Sequence, residues 1–194
     1  MYYEKNSKQS PLRLDEIPIP LEGAGKVYIT ICPGKKCHSA TGGFKWDRDL
    51  SADIGVMVGS GINHVVSLID ETEHERIGVP GLYDAYEGAG LRVTKVPTLD
   101  GEYPYDGIRD AGGVWDEVVC SGAKVAVHCR GGMGRAGSFV ATMLVRGLGM
   151  DPEDAIDYVR KHRDGAIETN AQRIGIYQSE DWSYEEELGG GSHG

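Results

Sequence analysis

"VAVHCRGGMGRAG", residues 125–137, decides how this chain is read. A short β-branched run ends in His128 and Cys129, and then Gly131, Gly132, Gly134 and Gly137 arrive with Arg130 and Arg135 among them. Glycine loses more backbone freedom on folding than any other residue, so its concentration beside one cysteine implies a tight turn there. Apolar spacing turns helical from Ala136 onward, and the stretch predicts strand, glycine loop, helix. Such a loop sits at a helix N-terminus, where unpaired N–H groups and the helix dipole attract an anion. Gly131, Gly132 and Gly134 let successive N–H groups converge on one centre. Arg135 adds a planar guanidinium that grips two phosphate oxygens at once. The same positive field favours the thiolate of Cys129, its nucleophilic form.

Working outward, three more short β-branched runs read as strands: "KVYITIC" (26–32), "NHVVSLI" (63–69) and "GLRVTKV" (90–96). With "AKVAVHC" (123–129) they make four. Between them "DRDLSADIGVMVGSG" (47–61), "GLYDAYEGAG" (81–90) and "YDGIRDAGGVWDEVVCSG" (105–122) carry helical spacing. Alternation of this kind predicts one α/β domain with a central, mainly parallel sheet flanked by helices. Helices are also expected over 136–149, stopping at Gly149, over 151–163, with Asp151 as cap and Pro152 in the first turn, and after Thr169. Residues 1–25 read as a polar leader containing the loop-like "PIPLEGAG" (18–25), 26–187 as the domain, and 188–194 as a flexible glycine-rich tail.

The bulk properties bound the function. A net charge of −10 with 26% charged and 40% hydrophobic residues belongs to a soluble globular protein. It argues against nucleic acid or an anionic membrane surface as partner. No apolar run reaches the roughly 20 residues of a membrane span, and "MYYEKNSKQSPLRLDE" lacks the apolar core of a secretion signal, so a cytoplasmic location is expected. Cys32, Cys37, Cys120 and Cys129 are irregularly spaced and make no disulfide framework. "CPGKKCH" (32–38) has a permissible zinc spacing but no second ligand pair, and neither metal nor cofactor is expected.

"HCRGGMGR" (128–135) resembles the signature loop of the cysteine-dependent protein tyrosine and dual-specificity phosphatases. Its glycine pattern is most similar to the kinase-associated dual-specificity branch and its bacterial relatives, and the likeness runs from "CPGKK" (32–36) to "AIETNAQ" (166–172). The resemblance implies Cys129 as nucleophile and Arg135 as phosphate clamp, with the backbone of Arg130, Gly131, Gly132, Met133 and Gly134 as the oxygen cradle. His128 would orient the loop and tune the thiolate.

A thiolate that displaces an ester oxygen leaves an alkoxide or phenoxide that needs a proton. "VPTLDGEYPYD" (96–106) follows the third of the four runs and looks like the family's acid loop, which makes Asp100 the donor and Asp106 the reserve. Gln172 is the candidate for positioning the hydrolytic water. Arg48 and Asp49 read as a helix-start ion pair or cap. One departure stands out. The family's signature Arg is usually followed by Ser or Thr, and here Ala136 stands there, with Ser138 two residues later.

The activity implied is hydrolysis of phosphomonoesters through a phosphocysteine. The substrate is a phosphorylated protein or peptide (phosphotyrosine, phosphoserine or phosphothreonine), with a small phosphorylated molecule also open. A phosphate-binding protein with little turnover and a rhodanese-like sulfur carrier are the alternatives.

Overall fold

The computed structural model of the protein describes residues 3–39 and 42–180. Four strands fall on the four apolar runs: β3 (Lys26–Ile31), β5 (His64–Ser67), β6 (Arg92–Lys95) and β7 (Lys124–Cys129). All four are parallel, with β7 central between β3 and β5 and β6 beyond β5. The register sets Ile31 beside Cys129 and Ser67 beside His128, so three strands end level with the cysteine.

Residues 3–25 were expected as a leader, and they are packed into the domain. Within them β2 (Asp15–Ile17) adds antiparallel to β3 as an edge strand, and Leu12 and Ile17 are buried. Farther forward, β1 (Tyr3–Lys5) pairs in parallel with β4 (Phe44–Trp46) to make a separate two-stranded sheet. Three-residue strands set among polar residues carry no alternation for a sequence reading to catch.

Along β7 the side chains alternate between two cores. Val125 and Val127 join Phe139, Val140, Met143 and Leu144 of α5 (Gly134–Leu148), while Ala126 joins Ile54 and Met57 of α1 (Leu50–Gly59). Each fully buried aliphatic chain contributes roughly 1.5–3 kcal/mol, so period-two burial on both faces pins the register. The first core also takes in α4 (Ile108–Ser121) and α6 (Pro152–His162), and α7 (Asn170–Gln178) closes against α5. The second includes α3 (Leu82–Gly88).

Helix ends follow the sequence signals. Asp151 caps α6 with Pro152 in its first turn, Thr169 and Gln172 make a reciprocal capping box on α7, and Gly149 ends α5 in the left-handed conformation. Between β5 and α3 lies α2 (Glu71–Arg76), one and a half turns that the sequence reading did not find, capped by Asp70. Residues 181–194, including the expected tail, lie outside the described residues. Among the described residues no helix is long and apolar enough to cross a membrane.

Candidate active site

The C-terminal ends of the parallel strands converge, which is where α/β sheets place their sites. Cys129 closes β7, α5 begins five residues later at Gly134, and the chain between them curls. Gly132 carries φ +61°, and a Cβ there would lie 2.2 Å from the Thr30 carbonyl of β3. Gly131 has neither constraint, its nearest contact being an ordinary 3.7 Å to Met133. No side chain caps α5 at Met133.

The loop is held through its carbonyls. Its carbonyls at Arg130, Gly131 and Gly132 all accept from cations: Lys35 Nζ at 2.9 Å, Arg163 Nη2 at 3.2 Å and Arg163 Nε at 2.9 Å. Arg163 is anchored in turn by Asp15 of β2. Bonded carbonyls fix the peptide planes of the loop. The N-terminal segment therefore reaches the site through this ion pair and through Ser10, Pro11 and Arg13, which line the cavity.

Arg135 is 1% exposed, and its guanidinium is bound on nearly every side. Glu73 on α2 takes Nη1 and Nη2, while Nη1 also donates to the carbonyls of Thr98 (2.8 Å) and Leu68 (3.3 Å). Burial works against its charge, but the Glu73 bond and the neighbouring acids more than offset this and raise its pKa further. Its Nε is buried without a partner among the described residues. Asp100 stands above the loop and bridges two guanidiniums, Arg135 Nη2 at 3.1 Å and Arg130 Nη2 at 3.0 Å.

His128 is fully buried and bonds the Tyr86 hydroxyl through Nε2 at 2.9 Å. Burial pushes its pKa down to about 3. Gln172 is buried beside the start of α5; its Oε1 accepts from the N–H groups of Glu168 (2.8 Å) and Thr169 (3.1 Å). Its Nε2 reaches the Glu102 carbonyl at 3.4 Å. Glu168 Oε2 accepts from the Gly134 N–H at 3.0 Å. Ala136 is buried, and the one proton of the Ser138 hydroxyl goes to the Gly134 carbonyl at 2.8 Å. As a helix-start pair, Arg48 binds buried Asp53 with Nε and Nη2, both at 2.7 Å, and Asp49 caps α1.

Cys129, Arg130, Gly131, Met133, Arg135, Asp100 and Glu168 share one cavity of about 440 Å³, which Phe44 and Trp46 also line. Asp106 is in a 3₁₀ turn (Tyr105–Gly107) and does not line it. Among the described residues no group of three His, Cys, Asp or Glu is placed to hold a metal ion.

A family model described as "Polymorphic toxin system, DSP-PTPase phosphatase" matches residues 46–148. The chain belongs to this dual-specificity phosphatase family. Among curated relatives, cyclin-dependent kinase inhibitor 3 of Rattus norvegicus is 27% identical over 187 residues, covering 91% of this chain and 82% of its own. The Homo sapiens protein of that name is 29% identical over 190 residues, covering 91% and 85%. Two solved structures share the dual-specificity phosphatase fold. Kinase-associated phosphatase, with its catalytic-site cysteine replaced by serine, superposes with a TM-score of 0.73 at 24% identity over 88% of this chain and 94% of its own. Tk-PTP in its active form gives 0.67 at 24% over 87% and 98%.

Sequence reading missed four residues of this site: Lys35, Glu73, Arg163 and Glu168. Of these only Glu73 had a local signal, the Asp70 cap three residues before it.

Proposed function

We propose that the protein hydrolyses phosphomonoesters, phosphotyrosine and phosphoserine or phosphothreonine of protein substrates among them, with Cys129 as nucleophile. The observation that carries this reading is that Cys129, the loop residues Arg130, Gly131 and Met133, Arg135 and Asp100 line one cavity. A phosphate seated in the loop takes over the guanidinium donors that now hold Asp100, which frees the carboxyl for the ester oxygen. Sγ of Cys129 attacks phosphorus, the P–O bond to the leaving group breaks, and Asp100 supplies the proton to the departing oxygen. Water then attacks the phosphocysteine, Asp100 accepts a proton, and the S–P bond breaks to return the thiolate. Charge on the equatorial oxygens falls to Arg135 and to the loop N–H groups from Arg130 to Gly134, the last of them once it leaves the Glu168 carboxylate that holds it in the free site. His128 and Gln172 act as supporting residues, the first under the loop and the second between α5, α7 and the acid loop.

Release of phosphate from phenyl phosphate and from phosphopeptides tests the reading. Vanadate should inhibit, EDTA should not, and Cys129→Ser should be inactive; full activity in that variant overturns the mechanism.

A slow second step is the variant reading that one observation favours. Neither Ala136 nor the committed Ser138 hydroxyl donates to the departing sulfur. A hydrogen bond to a charged group is worth ~1.5–3 kcal/mol, so its absence slows that step roughly ten- to a hundred-fold. Rapid quench should reveal a burst that shrinks in Ala136→Ser as steady turnover rises.

A further inference from the structure

Five arginines line the cavity, and each has a carboxylate. Arg13 and Arg163 pair with Asp15, Arg48 with Asp53, Arg130 with Asp100, and Arg135 with Glu73 and Asp100. Lys35 does not follow this rule. It lines the same cavity at 5% exposure, and no carboxylate pairs with it among the described residues. Its ammonium donates to the Arg130 carbonyl at 2.9 Å and lies 4.8 Å from the ring centroid of Trp46. Burial pushes its pKa down, with the neighbouring sulfurs of Cys37, Cys32 and Cys129 pulling the other way.

A buried ammonium with no carboxylate partner is costly and belongs where function uses it. The scissile phosphate is already served by the loop N–H groups and Arg135. At about 440 Å³ the cavity falls in the range of small-molecule sites and holds far more than one phosphoryl group.

We propose that Lys35 is the counter-charge for a second anionic group of the substrate, a phosphate or carboxylate borne close to the scissile phosphate on a compact skeleton. The skeleton packs against Trp46 and Phe44. Proximity follows from the bond to Arg130: an ammonium tied to the first carbonyl of the loop reaches only a group beside the loop. The inference rests on the phosphomonoesterase reading and deepens it to a substrate class.

The test compares kcat/KM on phenyl phosphate, on a soluble polyol bisphosphate with phosphates on neighbouring carbons, and on a doubly phosphorylated peptide. The wild type should prefer the polyol bisphosphate. In Lys35→Met the preference for bisphosphate over phenyl phosphate should fall about ten- to a hundred-fold, and Lys35→Arg should restore part of it. An unchanged preference in Lys35→Met overturns the proposal, as does a wild type that favours the peptide. The same comparison by calorimetry in a Cys129→Ser background reads bisphosphate affinity without turnover. There the bisphosphate should bind more weakly once Lys35 is Met, and equal affinity overturns the proposal. Whether phenyl phosphate is hydrolysed at all decides the catalytic reading separately.

Discussion

Arg135 and Asp100 face the same cavity from opposite regimes of order. Arg135 is 1% exposed and bonded to Glu73 and to the carbonyls of Leu68 and Thr98, so three chain segments over-determine it. Asp100 leaves 47% of its side chain exposed, beside Leu99 at 68%, and among the described residues two ion pairs draw it to the loop. The contrast teaches a division of labour. A group that stabilises charge works best when fixed in advance, because it then has nothing to reorganise during the reaction. A proton donor must follow its proton from the leaving oxygen to the water, so it belongs on a segment that few contacts restrain.

The sharpest way to break the comparison is Arg135→Met. It leaves buried Glu73 with only the exposed Arg76, whose Nη2 is 3.3 Å from Oε1, as ion-pair partner among the described residues, and should cost about 3–5 kcal/mol of stability as well as the activity. Denaturant titration reads the first loss. Glu73→Gln beside it separates the stranded charge from the missing clamp, since a neutral amide in its place should recover part of the lost stability. A denaturation midpoint for Arg135→Met equal to wild type would show that Arg135 is not over-determined at all.

Asp100→Asn should do the reverse. Turnover of alkyl phosphates with poor leaving groups should fall roughly 10²- to 10⁴-fold and lose its alkaline limb, while an activated aryl phosphate suffers far less. Stability should move by no more than ~0.5 kcal/mol, as for an exposed substitution. An unmoved pH–rate profile would transfer the role to Asp106.

Within the fixed half, the two glycines of the cradle should part company. Gly132→Ala must hold a left-handed φ and drive a Cβ into the Thr30 carbonyl, a cost of about 3 kcal/mol or more with loss of vanadate binding. Gly131→Ala meets only ordinary contact and should stay within about 1 kcal/mol. Equal losses at the two positions would mean that the loop is held by something other than backbone conformation.

The smallest effect comes from His128, under the loop. Burial holds its pKa at about 3 against an unfolded value near 6.5, so the unfolded chain binds the extra proton first as pH falls. Stability therefore declines as pH drops through the window from 6.5 to 3, and about 2 kcal/mol should go between pH 6.5 and 5. His128→Gln should flatten that part of the stability–pH curve. An unchanged slope would assign the acid sensitivity to other groups, His64 first, whose pKa burial also lowers.

Read without coordinates, the chain declares what local chemistry can declare. Four β-branched runs, the caps at Asp151 and Thr169, the stop at Gly149 and the glycine-rich turn after Cys129 each lie within a few residues, where periodicity and backbone preference act directly. The fold class and the anion loop follow from these. Tertiary structure decided what lies across the chain. Glu73 meets Arg135 over 62 positions, Lys35 meets the Arg130 carbonyl over 95, and Asp15 meets Arg163 over 148. No spacing rule links residues so far apart, because sheet order and register bring them together, not helical or strand period. Lys35 is the clearest case. In sequence it is one lysine of a Lys-Lys pair, and only burial at the sheet edge, with no carboxylate paired to it among the described residues, makes it a residue that waits for an anion.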